Sequence, residues 1–241
     1  MNISFSVCIP TYNGVKYIHK QLESILAQLS KNDEIIISDD HSTDDTIQII
    51  EAFNDDRIRI IKNKKEQGVV NNMENALNHA KGDYIFMADQ DDIWYKDKIA
   101  EMLPFLEKYD LVISDATVID KNDTLMHPSF FVVNKSSRGL LRNWYRNSFL
   151  GCCMAFNRKV LNYVIPFPTG IAMHDIWIGL NIALRGDYYF LQKPLIHYRR
   201  HENNASPGHE KSGFTIWYMI TYRLFMMFHV VKRALFLKFR N

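Results

Sequence analysis

The 241-residue sequence carries little net charge: 29 Lys and Arg stand against 27 Asp and Glu, for a formal charge of +2. That balance excludes a nucleic-acid binder working through bulk electrostatics, so any basic surface is local. Cysteine is scarce. Cys8, Cys152 and Cys153 form an odd set in which two are sequence neighbours, which argues against a disulfide framework and for a reducing cytoplasm. The first five residues have neither a basic n-region nor a long apolar h-region, so no signal peptide is expected. No run of about 18 uncharged apolar residues occurs, so no transmembrane helix is expected and the protein is placed on the cytoplasmic side. Internal repeats and low-complexity tracts are also missing. What is present is 47% hydrophobic and 13% aromatic residues, enough for one folded domain with a sizeable core and a small appendage.

Short β-branched runs at Ile3–Ile9, Glu34–Ser38, Arg57–Ile61 and Tyr84–Ala88 read as buried strands. Between them, Val15–Leu29, Thr43–Phe53 and Val69–Ala80 place apolar residues three and four apart, as helices do. This alternation predicts an α/β fold of right-handed βαβ units, a mostly parallel sheet with helices on both faces, and ligand binding at the carboxyl ends of the strands. Further along, the pattern predicts a helix over Lys96–Tyr109, a strand at Leu111–Ser114 and a loosely organised stretch over 120–147. A strand over Gly151–Phe156, a helix over His174–Leu184 and two short strands, Tyr188–Phe190 and Leu195–Tyr198, complete it.

Three polar clusters follow strands and therefore share one edge of the sheet. Asp89-Gln90-Asp91-Asp92 puts three carboxylates within four residues, where mutual repulsion at low dielectric amounts to several kcal/mol. A hard divalent cation, Mg2+ or Mn2+, held together with a ligand's phosphates would offset it; a solvated acidic turn capping the next helix is the plainer alternative. Asp39-Asp40-His41-Ser42-Thr43-Asp44 contains an N-cap in Ser42 or Thr43 for the helix through Phe53, but capping leaves Asp39 and Asp40 unexplained. Those two carboxylates can accept an N–H from a nucleobase. Pro10-Thr11-Tyr12-Asn13-Gly14 reads either as a plain turn or as an aromatic and backbone cradle for that base. No Gly-rich, basic phosphate loop follows the first strand, which counts against a nucleotidyltransferase.

Val7-Cys8-Ile9-Pro10-Thr11-Tyr12-Asn13-Gly14, Ile37-Ser38-Asp39-Asp40, Lys81-Gly82-Asp83-Tyr84 and Ala88-Asp89-Gln90-Asp91-Asp92-Ile93-Trp94 resemble, in order and spacing, the successive motifs of family 2 glycosyltransferases with the GT-A fold. The resemblance runs from about Ser4 to Ser206, and the Asp-Gln-Asp-Asp-x-Trp form is most similar to rhamnosyltransferase-like members. It implies a nucleoside-diphosphate sugar donor with Pro10, Thr11, Tyr12, Asn13 and Asp39 or Asp40 around the base, Gly68 and Asn72 nearby, and Gln90 in the same nucleotide site. Asp89 and Asp91 would be the DxD element on the metal, with Asp92 and Trp94 toward acceptor or phosphate. Met173-His174-Asp175 is similar to the family's acidic pair at a helix start and nominates Asp175 as the base of an inverting transfer, with His174 in place of the more usual first acid. Gly151-Cys152-Cys153 resembles the small-residue strand beneath the acceptor, the sulfurs reading as small buried hydrophobes. Tyr198–Ser206 is similar to a loop that folds over the diphosphate, with His201 on the metal and Arg199 or Arg200 on phosphate.

After Glu210 there is no acidic residue, while Lys and Arg are interspersed with aromatic and aliphatic side chains. Residues 1–206 are accordingly read as the GT-A domain and 207–241 as a basic aromatic helical extension. Such a composition suits a peripheral membrane contact. A helix pair completing the core, or a dimer contact, is the alternative, and the basic residues do not fall on one clean helical face. The expected activity is transfer of rhamnose or another hexose to a hydroxyl of a glycan or lipid-linked acceptor in bacterial surface polysaccharide synthesis, at the inner face of the cytoplasmic membrane. A non-catalytic nucleotide-sugar-binding scaffold is the competing reading.

Overall fold

A computed structural model describes residues 3–202, 204 and 215–238. The division expected between residues 206 and 207 lies outside the described residues, as do Asn203, Ala205 and Ser206 of the C-terminal loop and Phe239 and Arg240 of the tail.

Four strands, β1 (Phe5–Thr11), β2 (Glu34–Asp39), β3 (Ile58–Lys62) and β4 (Tyr84–Met87), run parallel in the order β3-β2-β1-β4. Helices α1 (Ile18–Leu26), α2 (Thr46–Glu51) and α3 (Val69–Asn78) connect them. Parallel strands covered on both faces need apolar residues on both faces, which is why Val7, Cys8, Ile9, Ile35, Ile36 and Ile37 are consecutive and fully buried. Each such aliphatic side chain contributes about 1.5–3 kcal/mol. Parallel pairing also brings the strand ends level: Thr11 stands opposite Asp39 and Cys8 opposite Met87, so the three polar clusters meet at one edge.

Among the described residues the sheet has nine strands, and beyond β4 it continues with mixed pairing. The remaining strands are β5 (Ile93–Trp94), β6 (Leu111–Ile119), β7 (Leu125–His127), β8 (Met154–Asn157) and β9 (Tyr188–Arg199). β8 lies antiparallel between β4 and β6, β9 runs parallel to β6, β5 pairs antiparallel with β9, and β7 folds back on β6. The helices of this half are α4 (Lys98–Leu106), α5 (Phe130–Asn134), α6 (Leu140–Tyr145), α7 (Leu161–Val164), α8 (His174–Arg185) and α9 (Ile216–Lys238).

Several expectations change. Gly151–Cys153 is a 3-10 turn, with the Cys153 amide bonded to the Leu150 carbonyl at 3.0 Å, and the strand starts only at Met154, where pairing with Ile113 begins. The two short strands near residues 188 and 195 are one strand, β9. Ser114 faces Leu191 while Asp115 already faces Pro194, so a bulge absorbs Gln192 and Lys193 next to a proline that cannot donate to the ladder. The loose stretch over 120–147 holds β7, α5 and α6, with Ser129 accepting from the Val132 amide as the α5 N-cap. Neither Ser42 nor Thr43 caps α2, which begins after Asp45; both are drawn instead to the loop after β1.

α9 is packed on the body rather than trailing from it. Met226 and Val230 are buried in the common core. Arg233 donates to the carbonyls of Tyr163 and Ile165 and lies over the Trp177 ring, and the Trp144 indole N–H donates to the Arg223 carbonyl at 2.7 Å. Among the described residues no helix is long and apolar enough to cross a membrane.

Candidate active site

At the ends of β1, β2 and β4 the nominated nucleotide residues bond chiefly to one another. Asp39 is buried and accepts from the Ser42 amide at 2.9 Å, the Ser42 hydroxyl at 2.5 Å and the Thr11 hydroxyl at 3.2 Å. Asp40, also buried, accepts from Asn63 Nδ2 and the Gly68 amide, both at 2.7 Å. Gly68 has φ 140°, a conformation that a side chain would strain, and this lets its N–H turn toward Asp40 as α3 starts. Asn72 donates from Nδ2 to the Thr11 carbonyl at 3.1 Å, and its Oδ1 is buried without a partner among the described residues. Asn13, with φ 46°, accepts from the Thr43 amide, and its own N–H donates to Ser42 Oγ. Gln90 clamps the same loop: its Oε1 accepts from the Tyr12 N–H at 2.9 Å and its Nε2 donates to the Tyr12 carbonyl at 3.0 Å. A Cβ at Gly14 would run into that carboxamide. Pro10 is the penultimate residue of β1, opposite Ser38, and the Tyr12 ring stands half-exposed just past the strand end.

The acidic cluster divides in two. Asp91 Oδ2 lies 2.7 Å from His201 Nε2 and accepts from Asn204 Nδ2 at 3.0 Å, and the His201 ring stacks on Tyr17 with centroids 5.1 Å apart. Asp89 instead groups with Asp92 and the sulfur of Cys152, their ligating atoms all within 4.8 Å of one another. Burial, then the charges of Asp91 and Asp175, push the Asp89 carboxyl up to about 7. Burial raises Asp92 well above the carboxylate range; its Oδ1 accepts from the Arg199 amide, and its Oδ2 has no partner among the described residues.

Asp175 occupies the first turn of α8, buried, with Oδ1 accepting from the Ile176 amide at 2.7 Å. Burial pushes its carboxyl up to about 6, against the opposing pull of hydrogen bonds from Ile176, Asn147 and Gly151. A Cβ on Gly151 would lie 3.4 Å from His174 Nε2 and from Met87 Cε, and 3.6 Å from Asp175 Cβ. Gly151 therefore lets the end of β4 approach the start of α8. Burial lowers the His174 imidazole to about 4, keeping it neutral, and its Nδ1 is buried without a partner among the described residues.

Two expected roles change. Arg199 is wholly buried: its Nε donates to the Asp91 carbonyl at 2.7 Å, and its guanidinium pairs with Asp123 and covers the Tyr17 ring. It stabilises the acidic loop from behind, which leaves Arg200 as the candidate for phosphate. Trp94 is in the core, 3% exposed, so it cannot touch acceptor or phosphate directly. The sulfur of Cys152, read as inert, faces Asp89 and Asp92. Sequence reasoning also missed Lys98, Tyr17 and Asn147. Lys98 is fully buried, donates to the Cys152 carbonyl at 2.7 Å and lies 4.3 Å from the Trp94 ring centroid. Nothing local marks Lys98, Tyr17 or Asn147, since Trp94 ends β5 and Lys98 opens α4, and they meet only through the turn between them.

The profile of glycosyl transferase family 2 matches residues 6–165. The chain is 34% identical over 181 residues to an Escherichia coli protein, the UDP-Glc:alpha-D-GlcNAc-diphosphoundecaprenol beta-1,3-glucosyltransferase WfaP, covering 75% of this chain and 70% of that one. It is 32% identical over 213 residues to the dTDP-rhamnosyl transferase RfbG of Shigella flexneri, covering 80% and 72%. The crystal structure of S. aureus TarS 1-349 in complex with UDP-GlcNAc superposes with a TM-score of 0.70 at 20% identity, over 93% of this chain and 66% of that one. The fold is that of the GT-A glycosyltransferases, and the family has a place in bacterial polysaccharide synthesis. With the profile spanning the strand ends and the acidic cluster together, the chain belongs to glycosyl transferase family 2.

Proposed function

We propose that the protein is a metal-dependent, inverting glycosyltransferase that moves a hexose or deoxyhexose, rhamnose favoured, from a nucleoside diphosphate to a hydroxyl of a lipid-linked glycan at the inner membrane face. The observation that carries this reading is Asp175: a buried carboxyl raised to about 6, close enough to Asp89 to raise that group in turn. A base for an acceptor hydroxyl needs a pKa near the working pH and a position beside the leaving diphosphate. Asp175 is ionised at pH 7 and sits across Gly151 from the end of β4.

The donor set fits a divalent ion. Buried carboxylates that repel one another, an unpaired Asp92 oxygen and the His201 imidazole against Asp91 are oxygen and nitrogen ligands of the kind Mn2+ accepts more readily than Mg2+. Asp91 with His201 on one side and Asp89, beside Asp92, on the other would hold it between the two groups, and it would neutralise charge building on the diphosphate. The protein's own part is to present the Thr11–Asn13 backbone and Asp39 and Asp40 to the base, hold the acidic loop in place through Arg199, and keep Asp175 dry. His174, neutral and adjacent, adds no competing charge.

A thermal-shift panel of UDP, dTDP, GDP, ADP and CDP, each with and without Mn2+, tests the reading. One base should raise the melting temperature by about 5 °C or more at 100-fold saturation, only with metal. No shift with any nucleotide at millimolar concentration would overturn it.

A further inference from the structure

The outward side of α9 presents Trp217, Ile220, Leu224, Phe228, Val231 and Leu235, all exposed, with Trp217 at 74% and Phe228 at 61%. Their spacing of three or four residues confines them to about 80° of arc at 100° per residue. Tyr222, Met226, Val230 and Arg233 fall on the opposite side and pack on the body. The helix is thus apolar on two faces, which is why its sequence looks poorly amphipathic. Beside the stripe, α6 adds Leu141 and Tyr145, both more than two-thirds exposed. The Arg223 guanidinium joins the two helices by lying over the Tyr145 ring and donating to its carbonyl at 3.0 Å.

We infer that this outward face of α9, extended by Leu141 and Tyr145, docks on an anionic lipid bilayer, with the helix lying in the interface plane while its inner face stays packed on the protein. The inference gives a physical surface to the lipid-linked acceptor reading and rests on it for its purpose only. Three observations select the occupant. The helix is too short of apolar residues to span a bilayer. An in-plane helix needs instead one apolar side with flanking cations, and Lys232 and Lys238 are exposed at the stripe. The chain after Glu210 has Lys and Arg but no acidic residue, so a second copy docked on this face would set cation against cation, whereas anionic headgroups complement it. Trp217 and Tyr145 are side chains that suit the headgroup level. Tyr222, on the inner face, is pushed up by burial and then by the charge of Asp175, so the side of α9 that packs on the body is the one turned toward the proposed base.

The full chain is sedimented with vesicles of phosphatidylcholine alone or with about one third phosphatidylglycerol, beside the double variant Leu224→Asp/Phe228→Asp. Both residues point outward, so circular dichroism and melting temperature should match the parent. The parent should bind the anionic vesicles, and the variant about tenfold less or weaker still. Equal binding of parent and variant, or no binding by the parent, overturns the inference. So does a dimer in sedimentation velocity that the variant dissolves, because the face is then an interface between copies. Nucleotide thermal shifts on the same samples separate the two readings: vesicle binding without any nucleotide shift removes the donor site and leaves the docking surface, and the reverse result removes the surface alone.

Discussion

The donor edge and the base side of the site are built on opposite principles. At the donor edge Asp39, Asp40, Asn13, Ser42 and Gln90 bond to one another and to backbone, although Asn72 Oδ1 beside them is buried without a partner among the described residues. On the base side the polar groups are buried and under-partnered: Asp92 Oδ2 and His174 Nδ1 lack partners among the described residues, and Asp89, Asp92 and Asp175 are all raised by burial. A satisfied network holds shape before any ligand arrives. An unsatisfied one stores unfavourable electrostatics that a cation and a reacting hydroxyl relieve, which is where chemistry is expected.

Substitutions test that contrast, starting where the effect should be largest. Asp175→Asn keeps the volume and removes the base; transfer should fall by about 10³-fold with nucleotide binding unchanged, and retained turnover would eliminate this residue. Chelation should come next, abolishing the nucleotide-induced thermal shift altogether, since the diphosphate then meets bare carboxylates; undiminished UDP or dTDP binding in EDTA would sink the metal assignment.

The pH dependence is smaller and signed. Asp175 works ionised, so the rate should drop about tenfold per unit below about pH 6 and level off above it. The same shift has a stability consequence. An unfolded aspartate ionises near about 3.9, so between there and about 6 the folded chain holds a proton that the unfolded chain has lost. Asp175 therefore makes stability fall as pH rises through that window, and Asp175→Asn should flatten the melting-temperature profile there.

At the donor edge the damage should be to stability first. Asp40→Ala strands the Gly68 N–H and leaves Asn63 Nδ2 only the Glu66 carbonyl at 3.3 Å, costing about 2 kcal/mol and about 4–8 °C in melting temperature. Gln90→Ala, at an exposed clamp where water can replace the amide, should cost about 1 kcal/mol or less. If either variant loses nucleotide binding without loss of stability, base contact rather than holding the edge in shape is that side chain's main part, and the contrast weakens.

Much of this was legible because it is local. β1 to β4 are contiguous apolar runs, and Asp89-Gln90-Asp91-Asp92 announces itself as four adjacent residues at a strand end. Ser42 and Thr43 misled because capping is the cheapest local use for a hydroxyl before a helix, whereas Asn13, brought over by β1–β2 pairing, competes for both. Arg199 or Arg200 is set on phosphate only by the family resemblance of the 198–206 loop; the burial of Arg199 behind Asp91 follows from β9 running alongside β6, a pairing across some 80 residues of chain. The Cys152 sulfur reached the acids only through the 3-10 turn, and α9 docked by contacts to residues 144, 163, 165 and 177.

The sequence by itself determined the parallel half of the sheet, the edge at which ligands bind and the residue types gathered there. Apolar periodicity and strand-end chemistry act over a few residues, and burial of the strands leaves them one arrangement. Only the tertiary structure decided which carboxylate faces which neighbour, how strongly each is desolvated, and that a basic aromatic helix has one face in the core and the other in solvent. Those are sums over groups distant in the chain, and dielectric and packing depend on everything that surrounds an atom rather than on what precedes it.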